Sequence, residues 1–172
     1  MLATLGLLAG VPVALTAASP ASVAEATDPT GSAYLPISPT RVADSRDGLG
    51  ISSKLENQDT RTLKVVTPAV ATAAGVNASN VSAVAVQVTA TQTAAAGYFT
   101  VFPADKPRPL ASSLNWMSAD HTITNLVSVP VSSSGEIKIF ASASTHVVVD
   151  VQGLFTSVEQ SRSGRLVLFD SP

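Results

Sequence analysis

Apolar and polar side chains alternate along residues 81–91, where Val84 and the valines at the next two alternate positions share one face. A period of two residues is typical of a β-strand with one buried face. Residues 144–155 form a second apolar stretch, in which three consecutive β-branched valines favour a pleated backbone. Because apolar residues occupy both faces of this stretch, we expect the innermost strand of a sheet that is covered on both sides.

Shorter apolar runs, separated by the turn-forming residues Gly, Pro, Asn and Asp, bring the number of predicted strands to about eight. The predicted strands lie at residues 33–37, 61–66, 81–91, 98–102, 112–116, 122–129, 136–140 and 145–151. An Ala-rich segment between the second and third strands predicts no more than one short helical turn. The pattern therefore predicts an all-β fold, an antiparallel β-sandwich of the jelly-roll-like kind.

Some residues also indicate how these strands are arranged. Pro36 lacks a backbone N–H donor, which predicts that the first strand lies at the edge of a sheet. Asp47 followed by Gly48 predicts a turn after that strand. A short Ala-rich turn separates the strands at residues 81–91 and 98–102, so we expect these two strands to form an antiparallel hairpin.

Composition narrows the classes of function. The chain has 172 residues with 10 basic and 12 acidic side chains, a net charge of −2, so it lacks the basic field that attracts nucleic acid. It contains no cysteine, which excludes a disulfide framework, a thiolate metal site and a cysteine nucleophile. It also lacks a G-x-S-x-G motif and a glycine-rich phosphate loop after a strand. We predict no cofactor and no metal.

The N-terminus has the pattern of a secretory signal peptide. An apolar run at residues 2–17 is followed by small residues that end in an A-x-A sequence at residues 24–26. The run is short for a bilayer span, which needs about 20 apolar residues, and glycine and proline interrupt it. We therefore predict a signal peptide at residues 1–26 and a flexible lead at residues 27–32. The mature protein is expected to be extracellular, with no membrane segment after cleavage.

The end of the chain repeats its beginning. Four residues have identical counterparts at an offset of 133 positions (164 − 31): Gly31, Leu35, Ser38 and Pro39. This repetition predicts one β-sandwich repeat domain at residues 33–156, a linker at 157–163 and the first strand of a truncated second repeat at 164–172. The alternative is self-association by strand exchange, in which the segment from Leu166 to Phe169 pairs with a sheet edge of another molecule.

Six ordered segments resemble a known but uncharacterised repeat domain of secreted actinobacterial proteins, whose pattern runs from R-V-L-D-T-R to D-V-Q-G-Y-F. The segments are residues 41–46 (RVADSR), 86–91 (VQVTAT), 97–104 (GYFTVFPA), 108–115 (RPLASSLN), 125–130 (NLVSVP) and 146–155 (HVVVDVQGLF). The chain departs from the pattern at Ala43, Ser45 and Leu154. Such domains occur in tandem or beside cell-wall hydrolase and surface modules. The resemblance therefore implies a place at the cell surface, and it implies no catalytic residues.

The strongest candidate site consists of the charged residues Asp44, Arg46 and Asp150. Buried charges are costly unless they are paired, so we expect a structural network that holds the first loop against the core, with Asp150 bonded to a neighbouring loop. The functional alternative is a ligand or cation site. Asn115 and Asn125 are expected to bond to backbone groups in turns and at strand ends, and contact with a sugar is the alternative.

Trp116, together with three aromatic residues at positions 98, 99 and 102, is a candidate platform for sugar stacking. Strand pleating allows only one of the adjacent pair Tyr98 and Phe99 to face the core. His121 and His146 lie on different predicted elements without metal-ligand spacing, so they predict no metal site.

Three hypotheses for function follow. The favoured one is a non-catalytic extracellular β-sandwich module of a surface or wall-associated protein, which acts as a spacer, an adhesion unit or a carbohydrate-contacting unit. Other surface proteins and cell-wall polysaccharide are its candidate partners. The second is an accessory domain that binds carbohydrate or cell-wall polysaccharide for a secreted hydrolase. The third is a hydrolase that uses Asp44 and Asp150 as its carboxylates. Glycosidase carboxylates flank an open cleft at separations of about 5–9.5 Å, which gives the third hypothesis a geometric requirement.

Overall fold

The computed structural model describes residues 32–157. The predicted signal peptide at residues 1–26 and the predicted tail strand at residues 164–172 lie outside these residues. The same holds for the predicted lead and linker, apart from Ser32 and Ser157.

Eight strands form two four-stranded antiparallel sheets, as expected for an all-β sandwich. The strands are β1 (Ser32–Asp44), β2 (Asp59–Lys64), β3 (Val81–Thr91), β4 (Gly97–Pro103), β5 (Leu114–Trp116), β6 (Ile123–Pro130), β7 (Glu136–Ala141) and β8 (His146–Ser157). The first sheet has the order β1-β8-β3-β6, and the second sheet has the order β2-β7-β4-β5. The predicted all-β fold is thus confirmed.

The pairing of the strands is nested. β1 pairs with β8, β2 with β7, β3 with β6 and β4 with β5, so the chain resembles one long hairpin that is rolled up. Further ladders between β3 and β8 and between β4 and β7 close the roll. This is the arrangement of a jelly roll. At the open end of the hairpin, Ser32 lies directly opposite Ser157.

The core lies between the two sheets and consists mainly of β-branched and aromatic side chains. Alternate valines of β3 and of β8 point inward from the first sheet, and Phe99, Ile137 and Ile139 face them from the second sheet. All of these side chains are fully buried. The Trp116 ring packs edge-on against Phe99, with a centroid distance of 5.0 Å, and its indole N–H donates to the Ala95 carbonyl at 2.7 Å.

The Ala-rich segment forms a short helix, α1 (Pro68–Ala74), followed by a 3₁₀ turn at Ala78–Asn80. Thr67 caps the helix because its hydroxyl accepts a hydrogen bond from the Val70 N–H, and Pro68 occupies the first turn, where no N–H donor is needed. Gly75 ends the helix in the left-handed conformation with φ +66°. The helix packs against β1 and buries Val70 completely.

The predicted hairpin of residues 81–91 with residues 98–102 is wrong, because β3 and β4 belong to different sheets. Alternation identifies the apolar face of each strand but not its ladder partner. Here the apolar faces of the two strands contribute to the same core from different sheets instead of lying side by side in one sheet.

The predictions for the first and last strands are partly confirmed. β1 is an edge strand, as Pro36 predicts, but it continues to Asp44 through two irregularities in its register with β8. β8 is an inner strand between β1 and β3. The expectation that both faces of β8 are covered is wrong, because its outer face carries partly exposed polar side chains, among them Asp150 and Gln152.

Candidate functional site

The predicted charged set comes together through an arginine that the sequence analysis missed. The Arg46 guanidinium donates two hydrogen bonds to the Asp44 carboxylate, from Nε at 2.8 Å and from Nη2 at 2.6 Å. Arg41 lies between the two aspartates. It donates to Asp44 at 3.3 Å and to both oxygens of Asp150 at 2.9 and 3.2 Å. The expected partner of Asp150 in a loop is therefore wrong, because the partner is on the neighbouring strand β1.

The electrostatics of this network are those of a structural ion pair. Asp44 is buried, with 2% of its surface exposed. The side-chain bonds from Arg46 lower the pKa of Asp44 from its ordinary value of 3.8 to about 2, against the opposing effect of burial. Both aspartates are paired with arginine. Neither carboxylate is thus a free acid or base, which disfavours the arrangement that a hydrolase needs.

Ser45 connects the same turn to β8. Its hydroxyl accepts a hydrogen bond from the Val147 N–H at 2.9 Å and lies 2.9 Å from His146 Nδ1. The Ser45 N–H in turn donates to the Val147 carbonyl at 3.0 Å. The first loop is therefore held to the core by main-chain and side-chain bonds as well as by charge. The His146 ring takes part in this structural contact through its Nδ1 atom.

The other candidate residues are dispersed. Trp116 is buried, so the proposed aromatic platform is wrong for this residue, and Phe99 is buried as well. The Asn115 side chain donates to Ser112 Oγ instead of to a backbone group. Asn125 behaves as expected and donates to the Ser113 carbonyl at 2.8 Å.

Within residues 32–157, no three His, Asp or Glu side chains are grouped closely enough to hold a metal ion. Over the same residues, no helix is long and apolar enough to cross a membrane.

The outer faces of the two sheets differ. On the second sheet, the connection between β4 and β5 folds back so that the Arg108 guanidinium lies 3.6 Å from the centroid of the Phe140 ring. Thr100 and Phe102, which also point outward from this sheet, are buried. The outer face of the second sheet is therefore covered around β4 and Phe140 but exposed along β2, whereas the first sheet carries an open groove.

This outer groove has a volume of about 590 Å³ and crosses all four strands of the first sheet. It is lined by Tyr34, Pro36, Ile37, Gln87, Thr124, Asn125, Leu126 and Gln152. Only Asn125 among these was a predicted site residue. The alternation along β3 places Gln87 on the face opposite the valines. The other groove residues could not be predicted, because they come together only in the register of β1, β3, β6 and β8, which the sequence pattern does not contain.

Comparisons with protein-family models and with curated proteins find no match to this chain. Function is therefore inferred from the described side chains and from the path of the chain.

Proposed function

We propose that the chain is a non-catalytic extracellular module that displays its β-sandwich on the cell surface, as part of a surface or wall-associated protein. The observation that carries this proposal is the pairing of Ser32 with Ser157. The chain enters and leaves the sandwich at one end, on adjacent strands. The loops at the opposite end of the sandwich and the outer faces of the sheets are therefore clear of both ends of the described segment.

This geometry favours adhesion or display over a role as a spacer. A spacer adds the length of the domain when its ends lie at opposite poles, but here the two ends are one strand spacing apart, about 5 Å. The pairing of both Asp44 and Asp150 with arginine supports a role without catalysis. The signal-peptide pattern and the resemblance to secreted repeat domains support a place outside the cell.

Surface labelling tests the location. Because the natural chain has no cysteine, a Ser52→Cys variant carries one thiol on an exposed loop position. In an actinobacterial host that produces the full chain, we expect a membrane-impermeant maleimide to label this variant in intact cells. The cysteine-free parent is the matched control. Labelling that requires cell lysis would overturn the proposal.

An assay for polysaccharide cleavage tests the absence of catalysis. We expect purified full chain to release no reducing ends from cell-wall polysaccharide. Release that is lost in both Asp44→Asn and Asp150→Asn would restore the hydrolase hypothesis.

A further inference from the structure

The outer groove has the dimensions of a ligand site. Its volume of about 590 Å³ falls within the range of roughly 300–1,000 Å³ that is typical of small-molecule pockets. Its two sides are apolar and partly exposed. Tyr34, on β1, is 41% exposed, and Leu126, on β6, is 59% exposed. An aromatic ring and an aliphatic side chain thus face each other across a floor formed by β8 and β3.

The floor carries a pair of amides in a fixed orientation. The Gln152 Nε2 amino group donates to Gln87 Oε1 at 2.8 Å. This bond uses one donor and one acceptor, so the side-chain amino group of Gln87 and the side-chain oxygen Oε1 of Gln152 remain to bond with a ligand. Next to them, the Thr89 and Thr124 hydroxyls lie 2.6 Å apart and extend the polar strip along the groove.

The absence of charged side chains among the lining residues restricts the kind of ligand that the groove can bind. Among the lining residues there is no carboxylate, ammonium or guanidinium group. The adjacent charges, Arg41 and Asp150, are paired with each other across β1 and β8. A neutral surface of amides and hydroxyls beside an aromatic ring complements a ligand that has many hydroxyl groups, an apolar C–H face and no charge.

From these features we infer that the outer groove binds a neutral glycan strand. The C–H face of one sugar ring packs on Tyr34, and sugar hydroxyls bond to the free amide groups of Gln87 and Gln152. This inference goes beyond the proposed display module, which requires no ligand. It relies on that proposal only for bringing the domain to a place where glycans occur.

Tyr34 is positioned for this role by Gly153. A side-chain carbon at Gly153 would lie 2.5 Å from three atoms of the Tyr34 side chain, Cε2, Cζ and OH. The absence of a side chain therefore allows the ring to lie over the backbone of β8. The Phe155 ring supports it from the side, with a centroid distance of 5.1 Å.

Affinity electrophoresis of the full chain tests the inference with defined probes. We expect soluble mannan, galactan or β-glucan, all uncharged, to slow the migration of the protein, whereas polygalacturonate, an anionic polysaccharide, does not. Migration unchanged by every neutral probe would overturn the inference and leave the display module intact. Retardation by polygalacturonate alone would also overturn it, in favour of an anionic ligand.

Three variants locate the site. Tyr34→Ala and Gln87→Ala are each expected to weaken binding roughly tenfold or more, as truncation of a contact at the centre of an interface does. Gly153→Ala is expected to weaken binding as well, because it displaces the Tyr34 ring and removes no polar group from the groove. The matched control is Tyr98→Ala, which removes a tyrosine from the outer face of the second sheet.

Thermal unfolding of each variant separates loss of binding from loss of fold. If Tyr34→Ala and Gly153→Ala stay folded and bind as the natural chain does, the groove is not the binding site. If Tyr98→Ala weakens binding by the same factor, the site is on the other sheet.

Discussion

At the scale of single residues, the first loop is held by ion pairs, and some of these pairs are easier to predict from the sequence than others. Asp44 and Arg46 are two positions apart, so their pairing follows from local sequence. Arg41 and Asp150 are separated by 109 positions and meet only because β1 and β8 are neighbours in one particular register. The residue pattern identified the charges but could not supply the arginine that joins them. A pair that depends on strand order lies beyond what alternation of polar and apolar positions encodes.

The pKa of Asp44 predicts how stability depends on acid. Because this pKa is lowered from 3.8 to about 2, ionised Asp44 stabilises the fold at all pH values above about 4, and this contribution is lost as pH falls through 2. We expect a loss of about 1 to 2 kcal/mol in the free energy of unfolding, reduced by solvent screening of the exposed arginines. Urea titrations between pH 5 and pH 2 measure it.

The control for this prediction lies in the same turn. Asp44→Asn is expected to be less stable at neutral pH and to show a flatter acid dependence, whereas Asp47→Asn, at an exposed position, is expected to follow the natural chain. Equal acid slopes for the two variants would mean that Asp44 does not determine the acid response.

Ser45 gives a second prediction at this scale. Ser45→Ala removes the acceptor of the Val147 N–H, which is buried at the end of the β1–β8 ladder. A buried donor left without a partner costs about 1–3 kcal/mol, and we expect that loss in chemical unfolding. Ser53→Ala, in the exposed part of the same loop, is the control and is expected to change stability by less than about 0.5 kcal/mol. Similar effects for both variants would contradict the prediction.

At the scale of elements, the sequence predicted the strands well and their partners poorly. The bounds of β3 agree with the predicted strand at residues 81–91, because valine alternation is strong there and turn residues follow it. Its assignment to a hairpin with β4 failed because two apolar strands joined by a short turn can pair edge to edge or pack face to face. Short local signals do not distinguish these arrangements. The same limit hid the outer groove, whose residues come from four strands.

Two glycines with the same φ angle allow the cost of the left-handed conformation to be distinguished from the cost of steric crowding. Gly50 and Gly75 both have φ +66°, but a side-chain carbon at Gly50 would lie 2.2 Å from the Val42 carbonyl oxygen, whereas none lies within 4 Å at Gly75. We expect Gly75→Ala to cost about 1–2 kcal/mol for the left-handed conformation alone. Gly50→Ala is expected to cost at least twice as much, because the backbone of β1 must move.

Denaturant unfolding at one temperature compares the two glycine variants directly. Equal losses would indicate that the first loop yields freely and is not held against β1.

At the scale of the whole molecule, the nested pairing determines how the domain responds to force. When the chain is pulled at Ser32 and Ser157, the β1–β8 hydrogen bonds are loaded one after another, because the two residues face each other at the end of the ladder. A chain pulled at Ser32 and Ser144 loads the same bonds together, since Ser144 precedes β8 at the opposite end. The described sandwich is therefore expected to resist force only weakly when it is pulled between Ser32 and Ser157.

Single-molecule pulling between introduced cysteine pairs measures this difference, and the absence of natural cysteine makes each attachment unique. We expect a clearly lower rupture force for the pair at positions 32 and 157 than for the pair at positions 32 and 144. Equal forces would show that another ladder, not β1–β8, limits mechanical unfolding. A low rupture force between positions 32 and 157 suits a display module and would be unsuitable in a load-bearing stalk.

The nested arrangement also constrains when the domain can form during synthesis. Among the eight strands of residues 32–157, the first to leave the ribosome, β1, has its ladder partner in β8, which is the last of them to be made. The β4–β5 pair can close early, but the sandwich cannot be completed until about 125 further residues have followed Ser32 (157 − 32). Contacts between such distant residues form slowly. A nascent chain of this design remains incompletely folded until β8 has been made, and until then it keeps the open form that the proposed export through a narrow channel would require.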